Sequence, residues 1–364
     1  MSLANRDLTN ISQKSSDPED SASRKTGTVR NIDTFAAPTP VKTGVDTPLP
    51  HGIVVGNAED ERAGTGCTVL LCPKGGTGAV AVRGGAPATL ETDLLRPENM
   101  VQTINAIVLS GGSAYGLDAS SGVMRYLEER KIGFCFKDIY VPIVCAASLF
   151  DLTVGDSSIR PNPEMGYNAC ESAFSDHICV GSVGAGCGAS VGKLLGERYA
   201  MKGGLGAAGI SMADGLVISA FVAVNAVGTV IHRESSIPLA GVLDPTTDGR
   251  SILTDRVTIE RLASGVDTSS GGNTTIGCVV TSAILNKAEA TRIASVVHDA
   301  FARAIDPVHT SNDGDTVFVL CTNDISANPD TVGVYATDVM EQAIYNAVLS
   351  AKGGYDLKAA VDLL

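Results

Sequence analysis

Apolar and polar positions divide the chain into a polar leading stretch, a middle of short apolar runs, and a final third where such runs alternate with amphipathic periods. From Met1 to about Pro48 the sequence is rich in Ser, Thr, Asp, Lys and Pro, with few large apolar side chains. Such a segment buries too little surface to offset its ordering entropy, which predicts a disordered tail over 1–48 and a domain starting near His51. Residues 68–72 and 79–82 read as two strands joined by a turn at Pro73-Lys74-Gly75-Gly76. Residues 106–109 form another buried strand signal, running into Ser110-Gly111-Gly112-Ser113-Ala114-Tyr115-Gly116. A helix is predicted from there to about Arg130, with Val123, Met124 and Leu127 on its apolar face. Residues 142–145 are a short apolar run that leads to Phe150 and Asp151. Residues 216–224 give the longest strand signal, closed by Asn225, and the stretch from about 235 to 272 is polar enough to predict an exposed, loosely ordered segment. Residues 276–280 are a β-branched run. Asn286-Lys287-Ala288-Glu289 resembles a capping box and opens a helix to about Ile305, with Ile293, Val296, Val297, Ala300, Phe301 and Ala304 inward and Pro307 as its stop. After the strand signal at 316–320, Val339, Met340, Ala343, Ile344, Ala347 and Val348 mark a last helix. Strands and amphipathic helices without regular βαβ alternation predict an α+β layered sandwich rather than a doubly wound sheet.

Composition narrows this picture. Hydrophobic residues make up 44% but aromatics only 4%, with no Trp, so the core must be aliphatic and rich in small residues. The 40 glycines show no short period, which excludes collagen and points to close backbone packing. No apolar run reaches the length of a membrane span, and the first residues lack the apolar core of a secretory signal. A formal charge of −13 argues against nucleic acid and anionic membrane as partners, and suits an amine-bearing substrate. The 9 cysteines include no CxxC pair, which predicts free thiols in a reducing, cytoplasmic setting. The 5 histidines (His51, His177, His232, His298 and His309) are scattered without ligand spacing, so neither a metal nor any other cofactor is expected.

Five stretches carry candidate chemistry. The glycine-rich turn Gly111-Gly112 can hold an anion on backbone amides, or only permit close packing. Residues 181–193 invite a P-loop reading, but Gly188 to Gly192 leaves three intervening residues where four are needed, and Leu194 replaces the Ser or Thr. Taken alone, Lys193 is a solvated charge at the end of a glycine-rich loop. Asn225 at a strand end is a turn residue or an oxyanion donor. Asn312-Asp313-Gly314-Asp315 reads as a turn into a strand, since no closing Glu makes it a calcium loop. The last stretch is Gly271-Gly272-Asn273-Thr274-Thr275. It is either a tight turn or a point of self-cleavage that frees Thr274, whose hydroxyl and terminal amine supply nucleophile and base in one residue.

From about His51 onward, several separate stretches in order carry a resemblance. They are Val82-Arg83-Gly84-Gly85-Ala86-Pro87 with Glu91-Thr92-Asp93, residues 109–118, the run ending at Lys193, Gly272-Asn273-Thr274-Thr275-Ile276, and His309 through Thr316. The chain resembles the P1/DmpA-type aminopeptidases, peptidase family S58, which include the nylon-oligomer hydrolases. The resemblance implies an αββα sandwich and a precursor cut between Asn273 and Thr274 into fragments 49–273 and 274–364 of one domain. It implies Thr274 as nucleophile and base, Asn225 on the oxyanion side, Lys193 near the nucleophile, and Asp313 and Asp315 as acids that position it. Phe150 stands where the nylon-oligomer branch has a tyrosine, and with Gly111, Gly112 and Tyr115 it is expected to bind substrate. The expected substrate is a small peptide or amide, and the expected assembly a homo-oligomer of cleaved protomers. An α-amine titrates at about 7.7–8.0, so a useful fraction is basic at neutral pH. An endo-acting amidase or esterase of the same family remains open, as does an uncut, non-catalytic binding protein.

Overall fold

In the computed structural model, the described residues are 44–175, 177–264 and 272–363. Most of the predicted tail and Gly271 therefore lie outside them. Gly44–Val45 already pairs with Ile178–Cys179 and Thr47 is buried, so the fold includes residues ahead of the expected start at His51.

The principal strands are β1 (Val54–Asp60), β2 (Thr65–Val82), β3 (Thr103–Ser110), β4 (Val144–Ser148), β5 (Gly204–Ser211), β6 (Val217–Asn225), β7 (Thr274–Ala283) and β8 (Thr316–Ile325). The helices are α1 (Ala119–Glu129), α2 (Pro163–Glu171), α3 (Arg256–Ala263), α4 (Lys287–Ala304) and α5 (Pro329–Leu349). One sheet runs β5-β6-β7-β8 and takes the second half of β2 as its next strand; the other is built from β1, the first half of β2, β3 and β4. The hairpin expected around Pro73 is thus a single 18-residue strand that serves both sheets. Its register against β3 slips between Leu71 and Gly76, and Gly75 sits at φ 78. Proline cannot donate to a ladder and glycine accepts that φ, so the sequence that looks like a reversal bends the strand instead.

Strand parity builds the layers. Leu70, Ile107, Leu109 and Cys145 of one sheet face Phe221, Ile276, Cys278, Val280 and Phe318 of the other. Their chain neighbours point outward. Val69, Leu71, Val108 and Ala146 meet α1 and α2, while Ala220, Val222, Val279 and Val319 meet α4 and α5. The strands read as continuous apolar runs because both of their faces are covered. The result is the expected αββα sandwich.

Local signals hold in part. The Asn286 side chain accepts from Glu289 N–H at 3.0 Å and the Glu289 carboxylate accepts from Asn286 N–H at 2.9 Å, completing the predicted capping box of α4. Met124, expected inward on α1, is 37% exposed, because the buried stripe runs Ala119, Val123, Leu127 at four-residue steps. The segment expected to be exposed and loose after 235 instead contains the strand Pro238–Ala240, the buried residues Leu239, Ala240, Val242 and Leu243, and α3. That apolar quartet is too short to stand out from its polar flanks.

Candidate active site

Asn225, the last residue of β6, lies directly opposite Thr274, the first of β7. Cross-strand partners share a sheet face with Cβ atoms about 4.5–5.5 Å apart, so the amide and the hydroxyl side chains are neighbours. Just upstream, Asn273 bridges to Asp313 in the loop before β8. Its carbonyl oxygen accepts twice: from the Thr274 hydroxyl at 2.5 Å and from Gly314 N–H at 2.9 Å. A Cβ at Gly314 would stand 2.8 Å from the Thr274 hydroxyl oxygen, so only glycine brings that backbone N–H so close.

The Asn225 carboxamide is fixed on both sides. Its oxygen accepts from Ser190 N–H at 3.0 Å and from Lys193 Nζ at 2.9 Å, while its nitrogen donates to the Phe150 carbonyl at 2.8 Å. An amide nitrogen has two hydrogens, which leaves one for another acceptor. Lys193 Nζ also donates to the Asn225 carbonyl at 3.1 Å. The isolated expectation of a solvated lysine is overturned: Lys193 is buried, and its burial brings its pKa down to about 7 against the opposing pull of Glu197, Asp313 and Asp151. Gly192 at φ 76 makes this possible, since a Cβ there would lie 2.0 Å from Gly241 backbone.

The two acids are both buried but differ in role. Asp315 accepts from Thr275 N–H at 2.7 Å through one oxygen, and from His309 N–H at 3.1 Å and His309 Nδ1 at 2.8 Å through the other. It therefore grips the residue after Thr274. Asp313 accepts from Thr310 N–H at 2.6 Å, and its second oxygen has no hydrogen-bond partner among the described residues. Burial and the neighbouring Asp315 push its carboxyl above the usual range.

Among the expected substrate contacts, Phe150 reaches the site: a Cβ at Gly272 would lie 2.4 Å from its ring. Gly111 and Gly112 do not offer their amides to a ligand. Gly111 N–H donates to the Gly66 carbonyl, and Gly112 N–H to Asp151 at 2.7 Å. Thr65 holds the other Asp151 oxygen at 2.7 Å, and burial brings that carboxyl up to about 6. The glycine turn thus binds an internal carboxylate. Tyr115 is 60% exposed under the Arg160 guanidinium, 4.0 Å from its ring centre, rather than joined to the Thr274 group. Gly314, Ser190 and His309 are the residues that sequence reasoning missed. The first and last stand within the quoted His309–Thr316 run, but backbone donors and a second-rank histidine leave no spacing signal. No cluster of three metal-ligating side chains occurs among the described residues.

Known proteins with related chains bear on this geometry. A protein of Mycobacterium leprae named an uncharacterized aminopeptidase is 42% identical over 310 residues, covering 79% of this chain and 83% of its own. A 6-aminohexanoate-oligomer endohydrolase of Paenarthrobacter ureafaciens is 31% identical over 313 residues, covering 81% and 84%. Among solved structures, the L-aminopeptidase D-Ala-esterase/amidase of Ochrobactrum anthropi, described as a variant of the Ntn hydrolase fold, superposes with TM-score 0.63 at 18% identity, covering 88% of this chain and 93% of that one. A Burkholderia sp. beta-aminopeptidase gives TM-score 0.62 at 17% identity over 91% and 96%. The sandwich is therefore of the Ntn-hydrolase type. The model of one family runs over residues 50–357, through every strand of both sheets and the whole Thr274 group, and with it the chain belongs to peptidase family S58.

Proposed function

We propose that this chain cuts itself between Asn273 and Thr274 and then hydrolyses amide bonds of small peptides or amide oligomers through an ester on Thr274. The observation that carries this reading is the Asn273 carbonyl, held at once by the Thr274 hydroxyl and by Gly314 N–H. In the uncut chain the hydroxyl oxygen attacks the Asn273 carbonyl carbon and its proton passes to neutral Lys193. The oxyanion stays on Gly314 N–H, the C–N bond breaks, and the proton goes to the departing Thr274 nitrogen. Water then hydrolyses the Asn273 ester and leaves a carboxylate.

In the cut protein the Thr274 amine is the base for its own hydroxyl. The substrate acyl group replaces Asn273, so Gly314 N–H and the second hydrogen of the Asn225 amide serve its oxyanion. Removing one such donor costs roughly 2.7–4 kcal/mol of transition-state stabilisation in comparable sites. Asp315 keeps the strand end in place, and Asp313 faces the new positive terminus. The names of the relatives, one an aminopeptidase and one an endohydrolase of amide oligomers, support the amide as substrate class. All nine thiols are free, which supports a reducing cytoplasm, and an oligomer of cleaved protomers completes the reading.

Intact mass under denaturing conditions is the test. Fragments 1–273 and 274–364 are expected, with Thr274→Ala remaining one inactive chain and Thr274→Ser cutting with reduced activity. A cut Thr274→Ala chain would overturn the mechanism.

A further inference from the structure

The helices of the two outer layers press their apolar faces onto a sheet, but α3 leans on the turn at Lys193–Leu195 and stands over a cavity. Ile259, the buried residue of α3, belongs to none of the apolar clusters of the sandwich. Arg256, Ile259, Glu260 and Ala263 follow one another at the spacing of one helix face, and all four line this cavity of about 290 Å³. The opposite wall is Thr229 and Ile231 of the strand Thr229–Ile231, with Pro307 and Leu194 beside them. Protein interiors leave few voids larger than a water molecule, and ligand pockets begin at about 300 Å³. A space of this size is a pocket rather than a packing gap.

The lining sets the ligand. Leu194, Ile231, Leu253, Ile259 and Pro307 are aliphatic walls that take a hydrocarbon chain. The charged groups in the lining are Arg256, Asp306 and Glu260. Arg256 is paired with Asp306 at 2.7 Å, while the Glu260 carboxylate has no ion pair or hydrogen bond among the described residues. One positive group against two negative ones favours a cation. Three wall segments also run into the Thr274 group. Leu194 follows Lys193, whose Nζ lies 2.9 Å from the Asn225 oxygen; Thr229 comes four residues after Asn225, and Pro307 two before His309. Four residues span at most about 14 Å, which puts the cavity wall within that distance of Asn225.

We propose that this cavity is a substrate subsite for a short aliphatic chain ending in an ammonium group, with the chain between Ile231 and Ile259 and the ammonium against Glu260. The amide carbonyl at the other end of the same substrate then reaches Thr274. Glu260, Ile231 and Ile259 thereby select which amine-bearing chains are cut, while the bond-breaking stays with Thr274, Asn225 and Gly314. The subsite deepens the amide-hydrolase reading and rests on it for the kinetic test, whereas ligand binding in the cavity is measured without it.

Binding is read in the full-length Thr274→Ala chain, labelled with 13C at the isoleucine methyls and titrated with ethylamine, butylamine and hexylamine. The Ile231 and Ile259 signals are expected to shift saturably, with affinity rising up to about 4-fold per added methylene until the cavity is full. Glu260→Gln is expected to weaken hexylamine about 3-fold relative to hexanol, which has the same length and no charge. Ile231→Phe fills the cavity and is expected to abolish binding of both, and Leu253→Phe takes its place where that variant does not fold. Unmoved methyl signals, an unchanged preference for hexylamine in Glu260→Gln, or binding kept in a filled cavity would each overturn the site. In the cut enzyme, γ-aminobutanoyl anilide is compared with the same anilide acetylated on its amine. Glu260→Gln is expected to lower the kcat/KM preference for the free amine about 3-fold, the change falling on KM. Hexylamine bound in the cavity with that preference unmoved would place the cavity off the substrate path and overturn the subsite. A chain that binds hexylamine in this way but stays uncut and inactive would overturn the hydrolase reading and keep the cavity as a site for aliphatic amines.

Discussion

Gly314 decides the candidate site at the level of single atoms. Its backbone N–H holds the carbonyl that Thr274 faces, and its missing side chain is what leaves room for the Thr274 hydroxyl. Gly314→Ala is expected to fold, because the residue has no positive φ to lose, but a Cβ 2.8 Å from the hydroxyl oxygen and 2.9 Å from the Ala86 carbonyl must push the donor away. The appearance of fragment 274–364 should slow by about 10²–10³, the cost of losing one oxyanion donor. Cutting at the wild-type rate would show that the N–H is not used. Lys193 is tested through pH. Its folded pKa is about 7, against 10.5 in a free lysine, so the unfolded chain holds the extra proton between those values. Stability should therefore rise with pH across that window, and the rise should vanish in Lys193→Met, as read from urea midpoints of an uncut Thr274→Ala background. Over the same lower edge, self-cleavage should accelerate as pH passes about 7 and the amine becomes neutral, while Lys193→Arg, always charged, stays slow. None of this is visible in the local sequence around 193, where a lysine after glycines looks like a surface group. Its burial follows from Asn225 and the 241 backbone, both distant in sequence.

The start of α4 was legible because its chemistry is local, while α2 and α3, capped just as locally by Asn162 and Asp255, were not read from the sequence. Asn286 and Glu289 satisfy each other's backbone donors within one turn, so α4 could be placed from four residues. Asn286→Ala should destabilise the protein by about 1 kcal/mol, with a lowered urea midpoint and an unchanged slope. A midpoint left in place would mean that α4 is held by its packing on α5, β2 and β8 alone. Apart from β1 and β5, which the sequence analysis did not mark, the principal strands were legible as apolar runs, but their partners were not. Val69, Leu70 and Leu71 are all apolar, and nothing in that run says that Leu70 faces the second sheet while its neighbours face α1 and α2. The same limit hid the continuity of β2. Pro73 and Gly75 carry strong turn chemistry, and only the pairing of one half with β3 and the other with β8 makes the segment a bend.

The proposed cut falls at a place where the whole molecule resists coming apart. All ten residues of β7 are buried, and the strand is paired along both edges, antiparallel to β6 and parallel to β8. Its first residue is the new terminus, so breaking the Asn273–Thr274 bond removes no ladder partner from the sheet. The small fragment then contributes β7, β8, α4 and α5, and the large fragment β5, β6 and β2, to one continuous apolar cluster. Met340, Ala343 and Ile344 of α5 share it with Ala220 and Val222 of β6, so separation would expose both the helix face and the sheet face beneath it. Hydrophobic burial of that extent is lost only with the fold itself. The cut protein should therefore run as one species containing both fragments in native mass spectrometry, at any dilution. In urea, release of fragment 274–364 should coincide with loss of the circular dichroism signal. Release at lower urea, with secondary structure intact, would show that the two fragments fold as independent units and that the sheet across Asn225 and Thr274 does not hold the site together after cleavage.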